Sequence, residues 1–207
     1  READKLIEEG RVKVNGKVVT NLATKVSSKD EVHIGKKSIK EDKNKIYTVI
    51  VYNKPKGEIV SKKDPQGRKT IYDSLENKYK HFLSVGRLDY ASEGLLLLSD
   101  SVEVVDALMH SDLERVYKIK VNGVITKPVE QAMQNGLEIE DATSGAHKNN
   151  KIKSMSFSPF LAYDIQTNGE KFSKIKVVIS EGKNRELRRF FAHFGLDVLD
   201  LKRLEYG

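Results

Sequence analysis

The sequence contains no cysteine, which excludes disulfide bonds, thiolate metal sites and cysteine nucleophiles together. This absence suits a reducing compartment, so we expect a cytoplasmic protein. No apolar run approaches the roughly 20 residues that a membrane-spanning helix needs. No signal-like segment opens the chain either, so we expect no membrane association. His81, His110 and His193 have no partner at a metal-ligand spacing and are interpreted as structural, so no metal site is predicted.

Positive charge is what the 207-residue chain has in excess. Its 37 lysines and arginines outnumber its 30 aspartates and glutamates, which gives a formal net charge of +7. A basic balance favours a polyanionic partner, because each phosphate that the protein neutralises releases counterions. A lysine-rich soluble protein without such a partner explains the charge equally well, so charge alone does not decide the function.

Charge and composition divide the chain into three predicted parts. Residues 1–41 form a small unit, residues 42–45 form a charged linker without apolar anchors, and residues 46–207 form a larger domain. The chain begins at Arg1, inside a predicted helix and without an initiator methionine, and it ends at Gly207 directly after a predicted strand. We therefore expect further sequence beyond both ends.

The small unit has the pattern of a helix followed by a β-hairpin. Ala3, Leu6 and Ile7 share one face of the predicted helix. Asn15-Gly16 lies between valines and is the strongest short hairpin signal. A further short strand is predicted at 31–34.

Strands dominate the larger domain. β-Branched and aromatic runs predict strands at 46–52, 116–121 and 172–179. Helices are predicted at about 101–110, at about 127–135, where Thr126 is the expected cap and Pro128 lies in the first turn, and at about 183–194. Because the strands outnumber the helices and do not alternate with them, the expected class is α+β with a mostly antiparallel sheet.

The stretch GRLDYASEGLLLL (86–98) places Arg87 and Asp89 directly before an apolar run that predicts a buried strand. In an extended segment these two side chains point to the same side. A partly buried carboxylate must be paired or it takes up a proton, so an aspartate at this place is a candidate for chemistry. Taken alone, Asp89 has a simpler alternative role, in which it only turns or caps the chain before the strand.

Three further motifs accompany GRLD: YNKPKG (52–57), VYKI (116–119) and EGKNRELRRF (181–190). In this order and spacing, the four motifs resemble the ribosomal RNA pseudouridine synthases of the RsuA/RluB family over nearly the whole chain. The pattern of residues 1–41 is similar to the later part of an S4 RNA-binding domain.

The resemblance implies an isomerase that converts a specific uridine of ribosomal RNA to pseudouridine after flipping the base out of its stack. It implies no cofactor, a ribosomal RNA or ribosomal subunit precursor as partner, and a monomer. The EGKNRELRR segment and the stretch 136–141 favour large-subunit (23S) rRNA as the target.

The resemblance also assigns roles to individual residues. Asp89 is expected to be the nucleophile, Arg87 to hold the place that the flipped base vacates, and Tyr117 to stack on the uracil ring. For Tyr117 a core position, alternating with Ile119 and Val121 along a strand, is a serious alternative.

Helical periodicity places Leu187 and three phenylalanines on one apolar face of the last helix, with Arg188 on its rim and Arg185 and Arg189 pointing away. From the rim, Arg188 is expected to pair with Asp89 and keep it ionised, and Leu187 to floor the pocket. The basic residues expected to contact RNA are Lys54, Lys56, Lys183, Arg185 and Arg189 in the larger domain, and Arg1, Lys5, Arg11 and Lys13 in the S4-like unit. Solvated surface charge is the alternative for each of them.

Two other functions remain open on the sequence. A ribosome-associated RNA-binding protein that retains an inactive synthase fold would bind RNA without isomerising uridine. A nucleoside or glycoside hydrolase would need a second carboxylate beside Asp89, and the sequence offers no obvious one.

Overall fold

The structure is a computed structural model that describes residues 2–27, 29–39, 46–141, 143–145 and 154–207. The chain forms two compact units, Arg1–Ile46 and Tyr47–Gly207. Arg1 and the linker predicted at 42–45 lie outside the described residues.

The first unit pairs one helix with a small antiparallel sheet. Its elements are α1 (Glu2–Glu8), β1 (Val12–Val14), β2 (Lys17–Val19), β3 (Val32–Ile34) and β4 (Lys37–Ile39). Among its described residues the strand order is β2-β1-β3-β4. Asn15 and Gly16 have φ angles of 49° and 79°, the left-handed conformations that a tight two-residue hairpin requires. The predicted helix, hairpin and third strand are confirmed, and β4 is an element that the sequence did not predict.

The second unit contains more strands than helices. Its elements are β5 (Val49–Lys54), α2 (Ile71–Ser74), a 3₁₀ turn (Asn77–Tyr79), β6 (Leu83–Ser84), β7 (Glu93–Ser99), α3 (Val102–Met109), β8 (Arg115–Val121), α4 (Lys127–Asn135), β9 (Leu137–Ile139), β10 (Met155–Phe157), β11 (Ala162–Thr167), β12 (Ser173–Ile179), α5 (Glu186–His193) and β13 (Val198–Tyr206). The three predicted helices are present, and α5 begins three residues later than predicted.

The main sheet of this unit is mostly antiparallel, as predicted. Across the described residues its strand order is β11-β12-β8-β13-β7-β5, and β6 also pairs with β7. The β13–β7 contact is parallel, whereas the other pairings are antiparallel. β9 and β10 pair separately. The fold is therefore α+β.

The sheet opens along one edge of β7, because β6 and β13 pair with opposite ends of that strand and diverge between them. In the opening, the carbonyl of Leu95 accepts a hydrogen bond of 2.7 Å from Arg203 Nε. The carbonyl of Leu97 accepts one of 2.8 Å from the amide of Val85. The loop 85–92 connects β6 to β7 at this opening.

Gly94 permits the close approach of β13 to β7. A Cβ atom at this position would lie 2.1 Å from the carbonyl oxygen of Arg203, and the φ angle of Gly94 is +106°. No other residue type fits both conditions, so the glycine of the GLLLL run is required by the sheet.

The apolar face of α5 packs into the core as predicted. Leu187, Phe190 and Phe191 are buried in one cluster with the alternating leucines Leu96 and Leu98 of β7. This packing fixes α5 against the sheet and brings the start of the helix beside the loop 85–92.

Candidate active site

A cleft of about 480 Å³ lies in the second unit, over the opening between β6 and β13. It is lined by the loop 85–92, the segment that leads into α5, and the inner faces of β8 and β13. The lining residues on which the site depends are Arg87, Asp89, Ser92, Tyr117, Arg185, Leu187, Arg188 and Arg203.

One carboxylate oxygen of Asp89, Oδ2, contacts two arginines. The Asp89 side chain is 34% exposed, and Oδ2 lies 3.2 Å from Arg185 Nη1 and 3.5 Å from Arg188 Nε. Oδ1 makes no hydrogen bond with any described residue. One oxygen is thus fixed by two cations while the other remains available at the cleft.

Arg188 ties three elements together, and the contact with Asp89 that the helix pattern predicted is present. Its guanidinium donates to the carbonyl of Val198 at 3.0 Å. It also donates to the carbonyl of Ala91 at 3.3 Å and to Ser92 Oγ at 3.1 Å. Burial lowers the pKa of Arg188, and the neighbouring Asp89 carboxylate opposes that shift.

Arg185 does not point away from the site, and that prediction was wrong. The prediction continued the helix back through this residue, but Arg185 precedes α5 in a left-handed conformation with φ 51°. This conformation turns its side chain toward the cleft, where Nε donates to the carbonyl of Gly145 at 2.7 Å. Arg185 is therefore a second cation on Asp89.

Lys54 lies inside the protein and cannot face RNA, which corrects the expected RNA contact. It is 0% exposed, and Nζ donates to the carbonyls of Pro55 at 2.9 Å, Asp89 at 3.1 Å and Ser92 at 2.8 Å. Burial lowers the pKa of Lys54, and nearby carboxylates, first that of Glu58, oppose the shift. The lysine holds the main chain of the loop that carries Asp89.

Arg189 is also buried, at 1% exposure, and its predicted phosphate contact is wrong. The short helix α5 is covered on more than its apolar face, and Arg189 Nη2 donates to Asn184 Oδ1 at 3.3 Å. Lys183, by contrast, stays partly exposed at the cleft and lies 2.6 Å from Glu181 Oε2.

The other predicted site residues lie at or near the cleft. Arg87 is exposed on its wall and forms no hydrogen bond or ion pair with Asp89 in the described structure. Tyr117 is 7% exposed and Leu187 4%, so each lines the cleft and also belongs to the core. Lys56 is exposed and pairs with Asp200 on β13.

Two cleft residues were missed by the sequence interpretation. Ser92 belongs to the loop 85–92 and carried no motif of its own. Arg203 alternates with Leu201 on the buried face of β13, and that alternation was the available signal that a cation enters the interior.

In the first unit, the side chains of Lys5, Arg11 and Lys13 are exposed. Arg11 lies 3.9 Å from Glu9. Within the described residues of the whole chain, no cluster of three histidine or carboxylate side chains is placed to hold a metal ion. The described helices include none with the length and apolar character to cross a membrane.

Comparisons with known proteins match both units of the chain to family models. The family model described as RNA pseudouridylate synthase matches residues 48–193, and the S4 domain model matches residues 1–32. The chain is 58% identical to an uncharacterized RNA pseudouridine synthase of Helicobacter pylori, over 100% of this chain and 79% of the relative. It is 35% identical to the ribosomal large subunit pseudouridine synthase B of Bacillus subtilis, over 100% of this chain and 80% of that one.

A solved structure shares the fold. The crystal structure of a pseudouridylate synthase superposes with a TM-score of 0.64 at 23% identity, covering 100% of this chain and 82% of the other.

Proposed function

We propose that this chain, which belongs to the RNA pseudouridylate synthase family, isomerises a uridine of large-subunit ribosomal RNA with Asp89 as its nucleophile. As a pseudouridine synthase it is an isomerase that converts uridine to pseudouridine. The Bacillus subtilis relative is named for the ribosomal large subunit, and that name supports the choice of substrate.

The reaction changes one bond to the ribose. The N1–C1′ bond of uridine breaks, the base rotates, and a C5–C1′ bond forms while the C5 proton leaves and N1 gains a proton. The chemistry requires a nucleophilic carboxylate, a means of keeping it ionised and an acceptor for the C5 proton. It also requires the base to leave its stack, which costs a few kcal/mol when the uridine starts in a helix.

The arrangement around Asp89 carries the proposal. Two guanidiniums contact Oδ2 and fix its position, while Oδ1 makes no hydrogen bond with a described residue. Lys54 donates to the carbonyl of Asp89 and Arg188 to that of Ala91, so both hold the loop main chain at Asp89 and just after it. A carboxylate fixed this firmly at a cleft is prepared for attack on the base or on C1′.

Three cleft residues are proposed to receive the uridine. Tyr117 would stack on the uracil ring and Leu187 would form the floor beneath it, because both line the cleft with limited exposure. Arg87 is exposed and unbonded to Asp89, so it is available to enter the space that the flipped base leaves.

Exposed basic residues are proposed to bind the RNA backbone. Lys5, Arg11 and Lys13 would do so from the S4 unit, and Lys56 and Lys183 from the second unit. The residues proposed to act on the uridine all line a cleft of one chain, which supports a monomer as the active form. The absence of cysteine supports a cytoplasmic location.

Mapping of pseudouridine across ribosomal RNA tests the function. RNA from cells that lack the protein should miss pseudouridine at a large-subunit position, and re-expression should restore it. Asp89→Asn should not restore it, although the purified variant should bind ribosomal RNA with unchanged affinity. An unchanged pseudouridine map in cells lacking the protein would contradict the substrate, and full activity of Asp89→Asn would contradict the nucleophile.

A further inference from the structure

Arg203 is a buried cation without a carboxylate partner. It is 4% exposed, and its Nε donates to the carbonyl of Leu95 at 2.7 Å. Its terminal nitrogens make no hydrogen bond with any described residue, and Nη2 is buried without a partner. The guanidinium lies 5.1 Å from the ring of Tyr206, which offers a cation–π contact but no acceptor oxygen. An unpaired buried charge is costly and is seldom kept without a use.

The position of this guanidinium is fixed by the sheet. The main chain at Arg203 presses against Gly94, where no Cβ atom would fit. The bond from Nε to Leu95 then holds the side chain in the opening between β6 and β13. Because the Arg203 side chain is fixed at its main chain and at Nε, it loses little entropy when a ligand binds. Its terminal nitrogens are therefore preorganised donors.

Arg203 and Tyr117 face the cleft side by side. They are directly opposite each other in the antiparallel pairing of β13 with β8, and directly opposed residues project from the same face of a sheet. Both line the cleft. A pyrimidine stacked on Tyr117 therefore brings its edge toward the guanidinium of Arg203.

We infer that Arg203 donates a hydrogen bond to a carbonyl oxygen of the flipped-out uracil and so positions the base for attack by Asp89. The inference rests on the proposed function. A guanidinium only donates, and the edge of uracil offers carbonyl oxygens as acceptors. Nη2 has almost no exposed surface, so the donor to the base is Nη1, which makes no hydrogen bond with a described residue.

The depth of Arg203 favours the base over the RNA backbone as its acceptor. Phosphates carry the charge of the RNA surface and are reached by exposed lysines and arginines. Arg203 is 4% exposed and sits beside the proposed stacking residue, where the base alone would enter. In a site from which water is excluded, such a charge-assisted hydrogen bond is strong.

Single-turnover rates on a short RNA spanning the mapped uridine test this inference. Arg203→Met should lower the rate by roughly 10- to 100-fold, as expected for loss of a hydrogen bond from a charged donor, with little change in RNA affinity. Lys202→Met is the matched control, because Lys202 is the exposed neighbour on the opposite face of β13, and its rate should equal that of the wild type. Activity of the wild type on this RNA is established first, so a failure of the proposed function is recognised separately.

Sulfur substitution in the target base separates positioning from a structural role. RNAs that carry 2-thiouridine or 4-thiouridine replace one carbonyl oxygen with a weak acceptor. One of the two thio RNAs should react more slowly than uridine RNA with the wild type. With Arg203→Met, that thio RNA and uridine RNA should react at the same rate, since coupled groups give non-additive losses.

Several results would overturn the inference. One is a slowing by thio RNA in Arg203→Met that equals the slowing in the wild type. Another is an unchanged rate of Arg203→Met on uridine RNA. A loss confined to affinity, with a weaker salt dependence, would assign Arg203 to a phosphate instead. If Arg203→Met fails to fold, insensitivity of the wild type to both thio RNAs would refute the contact without any variant.

Discussion

Two guanidiniums share one oxygen of Asp89, and they repel each other. The charge of Arg185 contributes to lowering the pKa of Arg188, after the larger effect of burial. The pair persists because each arginine has other acceptors, namely the carbonyl of Gly145 for Arg185 and the carbonyl of Val198 for Arg188. Arg185 donates the hydrogen bond to Asp89, and because its side chain is the more exposed of the two, at 25% against 10%, solvent should weaken that bond.

Replacing Arg185 by alanine should lower kcat about tenfold while changing KM little, because a partly exposed charged hydrogen bond lies at the weak end of its range. Arg185→Lys should recover part of the rate, since lysine keeps the positive charge but lacks the planar set of guanidinium N–H donors. Steady-state tritium release from RNA labelled at uridine C5 measures both constants. A raised KM at unchanged kcat would show that Arg185 serves the RNA backbone instead.

Glu186 gives a pH dependence of stability with a defined sign. Burial raises the pKa of its carboxyl, although the amide of Lys183 donates to it at 2.9 Å and opposes the shift. The folded protein therefore binds this proton more tightly than the unfolded chain, and ionisation of Glu186 destabilises the fold as the pH rises through its raised pKa.

Glu186→Gln should accordingly raise the melting temperature at neutral pH by a few degrees, because the amide keeps an acceptor for Lys183 and carries no charge. The gain should shrink toward acid pH, where the wild-type carboxyl is already protonated. Thermal unfolding followed by circular dichroism across this pH range measures it. A gain in melting temperature that grows toward acid pH would contradict a raised pKa of Glu186.

Single residues show what sequence reasoning could and could not reach. The contact between Asp89 and Arg188 could be predicted because the GRLD motif identifies Asp89 and the regular helix α5 fixes the direction of Arg188. Arg185 was misplaced because its left-handed conformation breaks the helical phase from which its direction was calculated. Lys54 was misjudged because lysine is almost never fully buried, and two of the three carbonyls that compensate it come from a loop about 35 residues further along the chain.

At the scale of elements, the parallel contact of β13 with β7 decides whether the site forms. Gly94→Ala should destabilise the protein by about 3 kcal/mol or more, since the new methyl group would collide with the main chain of Arg203. Gly67→Ala is the matched control. Gly67 has a φ of +68° with no atom within 4 Å of an added Cβ, so its cost should be that of the conformation alone, about 1 kcal/mol. Urea unfolding of both variants measures the difference, and equal losses would contradict the argument.

Elements with local signals were predictable and long-range pairings were not. α4 follows from the Thr126 cap and from Pro128 in its first turn, and the first hairpin follows from Asn15-Gly16. The position of β13 between β7 and β8 depends on contacts about 80 to 110 residues apart along the chain. No local pattern specifies such a neighbour, so the opening in the sheet and its cleft could not be predicted.

At the scale of the whole molecule, the exposed cations of the S4 unit should serve affinity and leave the chemistry to the second unit. Replacing Lys5 and Lys13 together by alanine should weaken binding to ribosomal RNA. The slope of log K against log salt should fall by about 0.7 to 0.9 for each phosphate that the variant no longer neutralises. The rate at saturating RNA should not change.

Filter binding at several salt concentrations measures that slope. Lys25→Ala, which removes an exposed lysine outside the predicted RNA-binding set, is the control and should leave it unchanged. A fall in the saturated rate of the double variant would show that the S4 unit also takes part in the chemistry.

The central place of β13 has a consequence for biosynthesis. A ribosome translating this chain releases β5, β7, β8 and β12 before the strand that lies between β7 and β8. Until that strand emerges, it cannot join β7 to β8, and the Asp89 loop lacks the cleft wall that Arg203 provides. We therefore expect a nascent chain that has not yet released β13 to lack isomerase activity.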